Sequence, residues 1–257
     1  QKYKKHVFIV GMDVIREFGE ATFTSFKIRN FRLYFFGRGV SLIGSWMHVV
    51  GMGWLVLLMT GSGTALGGVM AAKFFPMFFA APIGGLIADR FDKRRVLYWT
   101  QSILAVLALG ISYMVFTETI TLTSIYVFAL ATGFIDSIDQ PTRQAFVHEM
   151  VGPEYLRNAI TLNSTLANLT RVIGPLTAGL LIAGAGIAFC FFVNALSFLA
   201  VLVMLFLINP RELRAEKREK KTSTDLLAGI RYASTIPLLR TILITMAIVG
   251  IFSYEFQ

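Results

Sequence analysis

A chain of 257 residues is long enough for one or two soluble domains, but 55% hydrophobic residues against 15% charged ones exclude an ordinary soluble composition. The mean hydropathy of +0.66 points the same way, and most of the chain belongs in lipid. The net charge of +9 does not mark a nucleic-acid partner, because the cations fall in short clusters between apolar runs of bilayer-spanning length.

The N-terminal tail, 1–32, carries Lys2, Lys4 and Lys5 ahead of a short apolar stretch from Val7 to Met12. That stretch is too short for the core of a signal peptide, and no small-residue cleavage site follows it. Gln1 stands where an initiator Met is expected, so the chain reads as a fragment or as bearing an upstream extension, with Met12 a candidate start. A helix needs roughly 20 mostly apolar residues to cross about 30 Å of hydrocarbon. Six runs meet or nearly meet that length: Leu33 to Met59, Ala65 to Ala88, Val96 to Phe116, Leu122 to Ile138, Ala159 to Ala183 and Ile187 to Ile208. The expected fold is an all-α membrane protein whose six-helix transmembrane bundle covers 33–208. A linker, 209–237, follows, with Leu226, Leu227, Ile230 and Ala233 on one face of an amphipathic cytoplasmic helix ended by Pro237. A seventh, truncated helix begins at Leu238 within 238–257. Cys190, the one cysteine, sits in an apolar run, so no disulfide framework exists.

Cations occupy alternate connections only. The tail ends with Arg16, Lys27, Arg29 and Arg32; the second connection holds Arg90, Lys93, Arg94 and Arg95; the fourth holds Arg143 and Arg157; the sixth holds Arg211, Arg214, Lys217 and their neighbours. The first, third and fifth connections hold none and are only a few residues long. The positive-inside rule then predicts a cytoplasmic N-terminus in a bacterial-type inner membrane and antiparallel neighbouring helices. Pro82-Ile-Gly-Gly-Leu-Ile-Ala in the second run and Pro175-Leu-Thr-Ala-Gly-Leu-Leu-Ile-Ala in the fifth echo each other, as two inverted three-helix repeats would require. Chance likeness between Gly/Ala/Leu-rich segments is the alternative.

The second connection reads Gly85-Leu-Ile-Ala-Asp89-Arg-Phe-Asp92-Lys-Arg94-Arg-Val-Leu97. It resembles the major facilitator superfamily signature Gly-x3-Asp-x2-Gly-x-Arg-x2-Leu, with Asp92 in place of the second Gly. Gly85 is expected to allow close helix approach and Asp89 to cap or pair at the helix end. In the fifth run, Arg171-Val-Ile-Gly174-Pro175-Leu-Thr-Ala-Gly179 resembles the Gly-Pro signature of antiporters in that superfamily, with Ala178 in place of one Gly. The strings Arg29 to Phe35, Ser41 to Met47, Asp139 to Val147, Glu149 to Val151 and Asn158 to Ser164 are similar to the drug:proton antiporter subfamily that includes macrolide efflux proteins and enterobactin exporters. The resemblance runs from about Thr22 to the chain end. It implies twelve helices in two halves, the second supplied mostly by a C-terminal half absent from this chain. It also implies an inner gate in which Asp139 pairs with Arg94 and which breaks when the transporter opens inward; a plain helix-end salt bridge is the alternative.

Charges at bilayer depth mark a pathway or a structural pair. Lys73 could bind an anionic or catecholate-like substrate or snorkel to the outer surface. Arg171 lies deep, suited to a cavity or an intrahelical pair. Asp136 and Asp139 are three residues apart on one face; Asp136, the deeper, is the proton-coupling candidate, while Asp139 with Arg143 suits structure. His48, near Trp46, is a second proton or cavity candidate, or a packed hydrogen-bonding group. Asn163 and Asn168 could touch substrate or glue helices together.

The function expected is export of a small amphipathic molecule, of drug, macrolide or siderophore type, by proton antiport with alternating access. An uptake symporter or a non-transporting scaffold is the alternative. No cofactor or metal is implied, and no nucleotide-binding motif is present, so ATP does not drive it directly. An intramembrane hydrolase using Asp136 and Asp139 fails on geometry, because carboxylates on consecutive turns lack the opposed arrangement of an aspartyl dyad.

Overall fold

The computed structural model describes residues 23–214, together with 235–236, 240–242 and 245. The helices below belong to the first of two compact units, Gln1–Glu216; of the second, Lys217–Gln257, only the few residues above are described. The candidate start at Met12, the amphipathic helix before Pro237 and the seventh helix from Leu238 thus fall wholly or almost wholly outside the described residues.

The described chain is helical throughout. A short 3-10 turn, Thr24–Lys27, leads into α1, Arg29–Thr60; then come α2, Gly63–Arg90, α3, Lys93–Phe116, α4, Leu122–Ala185, α5, Ile187–Leu207, and a 3-10 turn at Pro210–Glu212. Four of these helices are long and apolar enough to cross a membrane, and α2 makes a fifth if its bent halves count as one span. The bend, 44° between Gly63–Met77 and Phe79–Arg90, has a local cause. Pro82 lacks the N–H that would bond the Phe78 carbonyl one turn earlier.

The first helix begins four residues before the apolar run that announced it. Its polar start is fastened by tertiary contacts: buried Asn30 donates from Nδ2 to the Asn209 carbonyl (3.1 Å) and accepts from the Asn209 N–H (3.1 Å). Ser25 N–H likewise donates to Asn158 Oδ1 (3.0 Å) and its hydroxyl to the Tyr155 carbonyl (3.1 Å). From Ser25 on, the N-terminal tail is part of the packed body.

The fourth and fifth apolar runs are two arms of the single element α4. At 1.5 Å per residue, 64 helical residues would reach roughly 96 Å, about three hydrocarbon thicknesses. The break falls at Gly152, whose φ of 70° and ψ of 175° are not helical. Glycine is favoured there by that left-handed backbone, and the flexible Arg214 side chain lies over the face that a Cβ would occupy.

The joins on the other side are short and well capped. Gly61 turns left-handed (φ 62°), and Ser62 accepts the Ala65 N–H (3.3 Å). Thr121 and Ser124 form a reciprocal capping box that opens α4. Helix packing follows small residues: α2 crosses the first arm of α4 where Gly133 meets the Lys73 carbonyl and Gly84 meets the Ser137 carbonyl, contacts that a Cβ would block. Outside this core the surface is greasy, with Phe206, Val172, Leu180 and Phe79 all more than 60% exposed, as lipid-facing positions are.

Candidate functional site

The first arm of α4 carries Asp136, Asp139 and Arg143, spaced to share a face. Asp139 is buried and fully used. Its Oδ2 accepts from Arg143 Nε (3.1 Å) and Nη2 (2.5 Å), and its Oδ1 accepts from Thr100 Oγ1 (2.6 Å) and Gln101 Nε2 (2.8 Å) of α3. A carboxylate that accepts four hydrogen bonds, two from a guanidinium, can stay ionised where water does not reach. Two atoms of the network, Arg143 Nη1 and Gln101 Oε1, have no hydrogen-bond partner among the described residues.

One turn away, Asp136 faces Lys73 of α2 at 3.7 Å, each side chain more than a quarter exposed. Lys73 therefore pairs across helices, and the helix crossing at Gly133 is what brings its backbone against this arm. His48 of α1 packs edge-on against Phe191 (5.0 Å), with Nδ1 buried and without a partner among the described residues. Trp46 sits under the Arg171 guanidinium at 5.7 Å, a cation–π contact, and fills the notch left by Gly174. Arg171 itself is exposed. Asn163 keeps a buried Oδ1 without a partner among the described residues, whereas exposed Asn168 donates to the Ser164 carbonyl of its own helix (3.0 Å).

In this structure Arg94 is not paired with Asp139: it donates to the Leu205 carbonyl (2.8 Å) and the Phe206 carbonyl (3.2 Å) at the end of α5, and lies over Tyr98. The ion pair joining this connection to α4 is Lys93 with Glu149, at 2.6 Å. The cause is reach, because Asp139 lies two to three helical turns before Glu149 and is already enclosed by Arg143, Thr100 and Gln101. Gly85 is not the close-approach glycine, since a Cβ there meets nothing within 4 Å; its neighbour Gly84 is. Gly179 is equally open, so of the two glycines in the Gly-Pro stretch only Gly174, one residue before Pro175, packs tightly. Asp89 is exposed, with no ion pair among the described residues, and Asp92 explains its own departure from the signature by capping α3, accepting the Arg95 N–H (2.9 Å).

Sequence reading passed over Arg38, Thr100, Gln101 and the Lys93–Glu149 pair. Arg38 was detectable as a cation between Gly37 and Gly39 inside an apolar run. Thr100 and Gln101 were not, because polar residues near a helix end carry no mark of what they will face.

Long apolar helices closed by tight turns, with opposite charges paired between them, define an integral membrane protein, and its sequence assigns it to the major facilitator superfamily. Residues 20–256 match the transmembrane secretion effector family of that superfamily, and the chain belongs to it. It is 26% identical over 216 residues, 82% of this chain, to an uncharacterized MFS-type transporter of Bacillus subtilis, of which 50% is covered. It is 30% identical over 176 residues, 67% of this chain, to a staphyloferrin A transporter of Staphylococcus aureus, with 44% of that protein covered. It is also 27% identical over 222 residues, 84% of this chain, to an enterobactin exporter of Shigella boydii, with 53% covered. The chain spans about half the length of the curated relatives it matches. These are transporters, and the chain is not an enzyme.

Proposed function

We propose that this chain supplies the first six-helix bundle, built as two inverted three-helix repeats, of a secondary transporter in the bacterial inner membrane. The two arms of α4 then count as separate crossings, which restores the six apolar runs and keeps every cationic connection on the cytoplasmic side. A C-terminal half completes the cavity, and rocking of the halves about a midplane site exports a small amphipathic molecule in exchange for protons. Siderophore-type cargo fits the likeness to the staphyloferrin A transporter and the enterobactin exporter.

The observation that carries this reading is the Lys73–Asp136 pair: one salt bridge, long at 3.7 Å and partly open, beside a carboxylate that is locked. A proton carrier must release its partner and take it back; Asp136 has one ionic partner to release, whereas Asp139 has four hydrogen bonds. The test is cargo efflux in inverted vesicles containing the full-length protein, driven by an imposed proton gradient. Asp136→Asn is expected to abolish gradient dependence while leaving downhill exchange. Coupling that survives the substitution removes Asp136 as the carrier. For topology, thiol labelling of a cysteine placed at Arg94 is expected from the cytoplasmic side only, and labelling from outside would overturn the arrangement.

A further inference from the structure

Around the first arm of α4, cations outnumber carboxylates by one among the described residues. Along α1, Tyr34, Arg38, Ser41, Ser45 and His48 recur at alternating intervals of four and three residues, so they form one polar stripe. Tyr34 and Ser41 are buried, and Ser45 Oγ donates to the Ser41 carbonyl (2.9 Å). The stripe faces charged neighbours along its length. Arg38 lies within electrostatic reach of Asp136, Asp139 and Arg143 on the first arm of α4, and His48 within reach of Lys73 on α2. Arg38, Lys73 and Arg143 are thus set against two carboxylates only. Asp139 is consumed by Arg143, Thr100 and Gln101, and Asp136 is paired with Lys73. Arg38 is left, half-buried, with no ion pair among the described residues.

A guanidinium held at membrane depth is costly unless something negative comes to it. The local backbone keeps it there: Gly37 packs on Met204 of α5 and Gly39 on Leu166 of the second arm of α4, so α1 is clamped on either side of Arg38. Nearby, the guanidinium of buried Arg143 is taken up by Asp139 and lies beside the Tyr34 hydroxyl, so it adds positive potential without offering Arg38 a counter-charge. One half-buried guanidinium without an ion pair among the described residues, beside a carboxylate with no capacity left, describes a place for an anion brought from outside the chain. Arginine's planar fork suits an oxyanion with two oxygens, a carboxylate above all.

We propose that Arg38 anchors an anionic group, a carboxylate or a comparable oxyanion, of the transported molecule. The cargo is then an amphipathic anion, its charge at Arg38 and its apolar body along the neighbouring faces. This rests on the transport reading above, but it assigns a different residue: Asp136 answers to the proton and Arg38 to the cargo.

The test measures binding to the full-length protein in detergent with three probes of one shape: naphthoate, neutral naphthamide and cationic naphthylmethylammonium. Wild type is expected to hold naphthoate more tightly than naphthamide by about ten-fold or more, the scale of one charge-assisted hydrogen bond. That advantage is expected to vanish in Arg38→Gln and to survive largely in Arg38→Lys. Equal binding of naphthoate and naphthamide by wild type, a preference for the ammonium, or an undiminished advantage in Arg38→Gln would each overturn the proposal. If Arg38→Gln does not fold, wild type alone decides: phenylglyoxal modification of Arg38, read by mass spectrometry, is expected to slow with naphthoate and not with naphthamide, and equal rates sink the idea. Proton-driven efflux in vesicles reports separately on transport. An anion preference without coupling defeats the proton reading alone, and coupled efflux without an anion preference defeats Arg38 alone.

Discussion

Asp136 and Asp139 stand three residues apart on the same arm of one helix, and their surroundings are opposites. Asp139 is closed in by Arg143, Thr100 and Gln101 and accepts four hydrogen bonds, one turn from a carboxylate that has a single, longer salt bridge to Lys73. The contrast separates two uses of a charge in a membrane. A saturated carboxylate fixes helices α3 and α4 against each other, and nothing about it is free to change. A carboxylate with one partner can exchange that partner, which is what a coupling group needs.

The comparison can be broken most sharply at Arg143. Replacing it with Met leaves Asp139 buried beside two neutral donors, and a loss of about 3–5 kcal/mol is expected by thermal unfolding in detergent. A variant as stable as wild type would mean that Asp139 is not the anchor described. Next in size is Gly133→Leu, which forces α2 off the first arm of α4 at the Lys73 carbonyl; overpacking of this kind costs about 1–3 kcal/mol. It should also disturb the Lys73–Asp136 pair, so coupled efflux is expected to fall with stability. Efflux unchanged in a destabilised variant would show that the pair does not depend on that crossing.

Thr100→Val tests the saturated side more gently. It removes one of the two bonds to Oδ1, and a loss of about 1–2 kcal/mol with transport kinetics largely kept is expected. A large change in coupling would move Asp139 from structure into mechanism. The smallest stability effect belongs to Asp136→Asn combined with Lys73→Met. Removing both members of a partly open pair is expected to shift unfolding by no more than about 1 kcal/mol. Coupling is expected to disappear all the same, and a double variant that unfolds readily would place this pair with the structural ones.

How much of this was legible from residues alone differs between fold and site. The spans were legible because burying backbone in hydrocarbon demands an unbroken apolar helix, and no tertiary partner changes that. Bounds shifted where polar residues had distant partners, as Asn30 has in Asn209. The break between the arms of α4 was visible as a gap between apolar runs, but its position at Gly152 was not, since it depends on Arg214 and the backbone there. Within the site, the partition between a structural Asp139 with Arg143 and a separate Asp136 followed from spacing. The Arg94–Asp139 pair came from resemblance, and the structure gives both residues other partners.

What the sequence determined by itself is the set of things that depend on one helix at a time: which segments are apolar, where basic clusters recur, and which residues share a face at three- and four-residue spacing. Which charge meets which was decided only by packing. Gly133 and Gly84 let α2 touch the first arm of α4, and Gly37 and Gly39 clamp α1 on either side of Arg38. Those contacts place Lys73 against Asp136 and leave Arg38 without a carboxylate partner among the described residues. An ion pair forms between the ends of side chains, a few ångströms from backbones that can be far apart along the chain. Its partners are therefore set by how helices cross, and no local pattern of residues encodes the crossing.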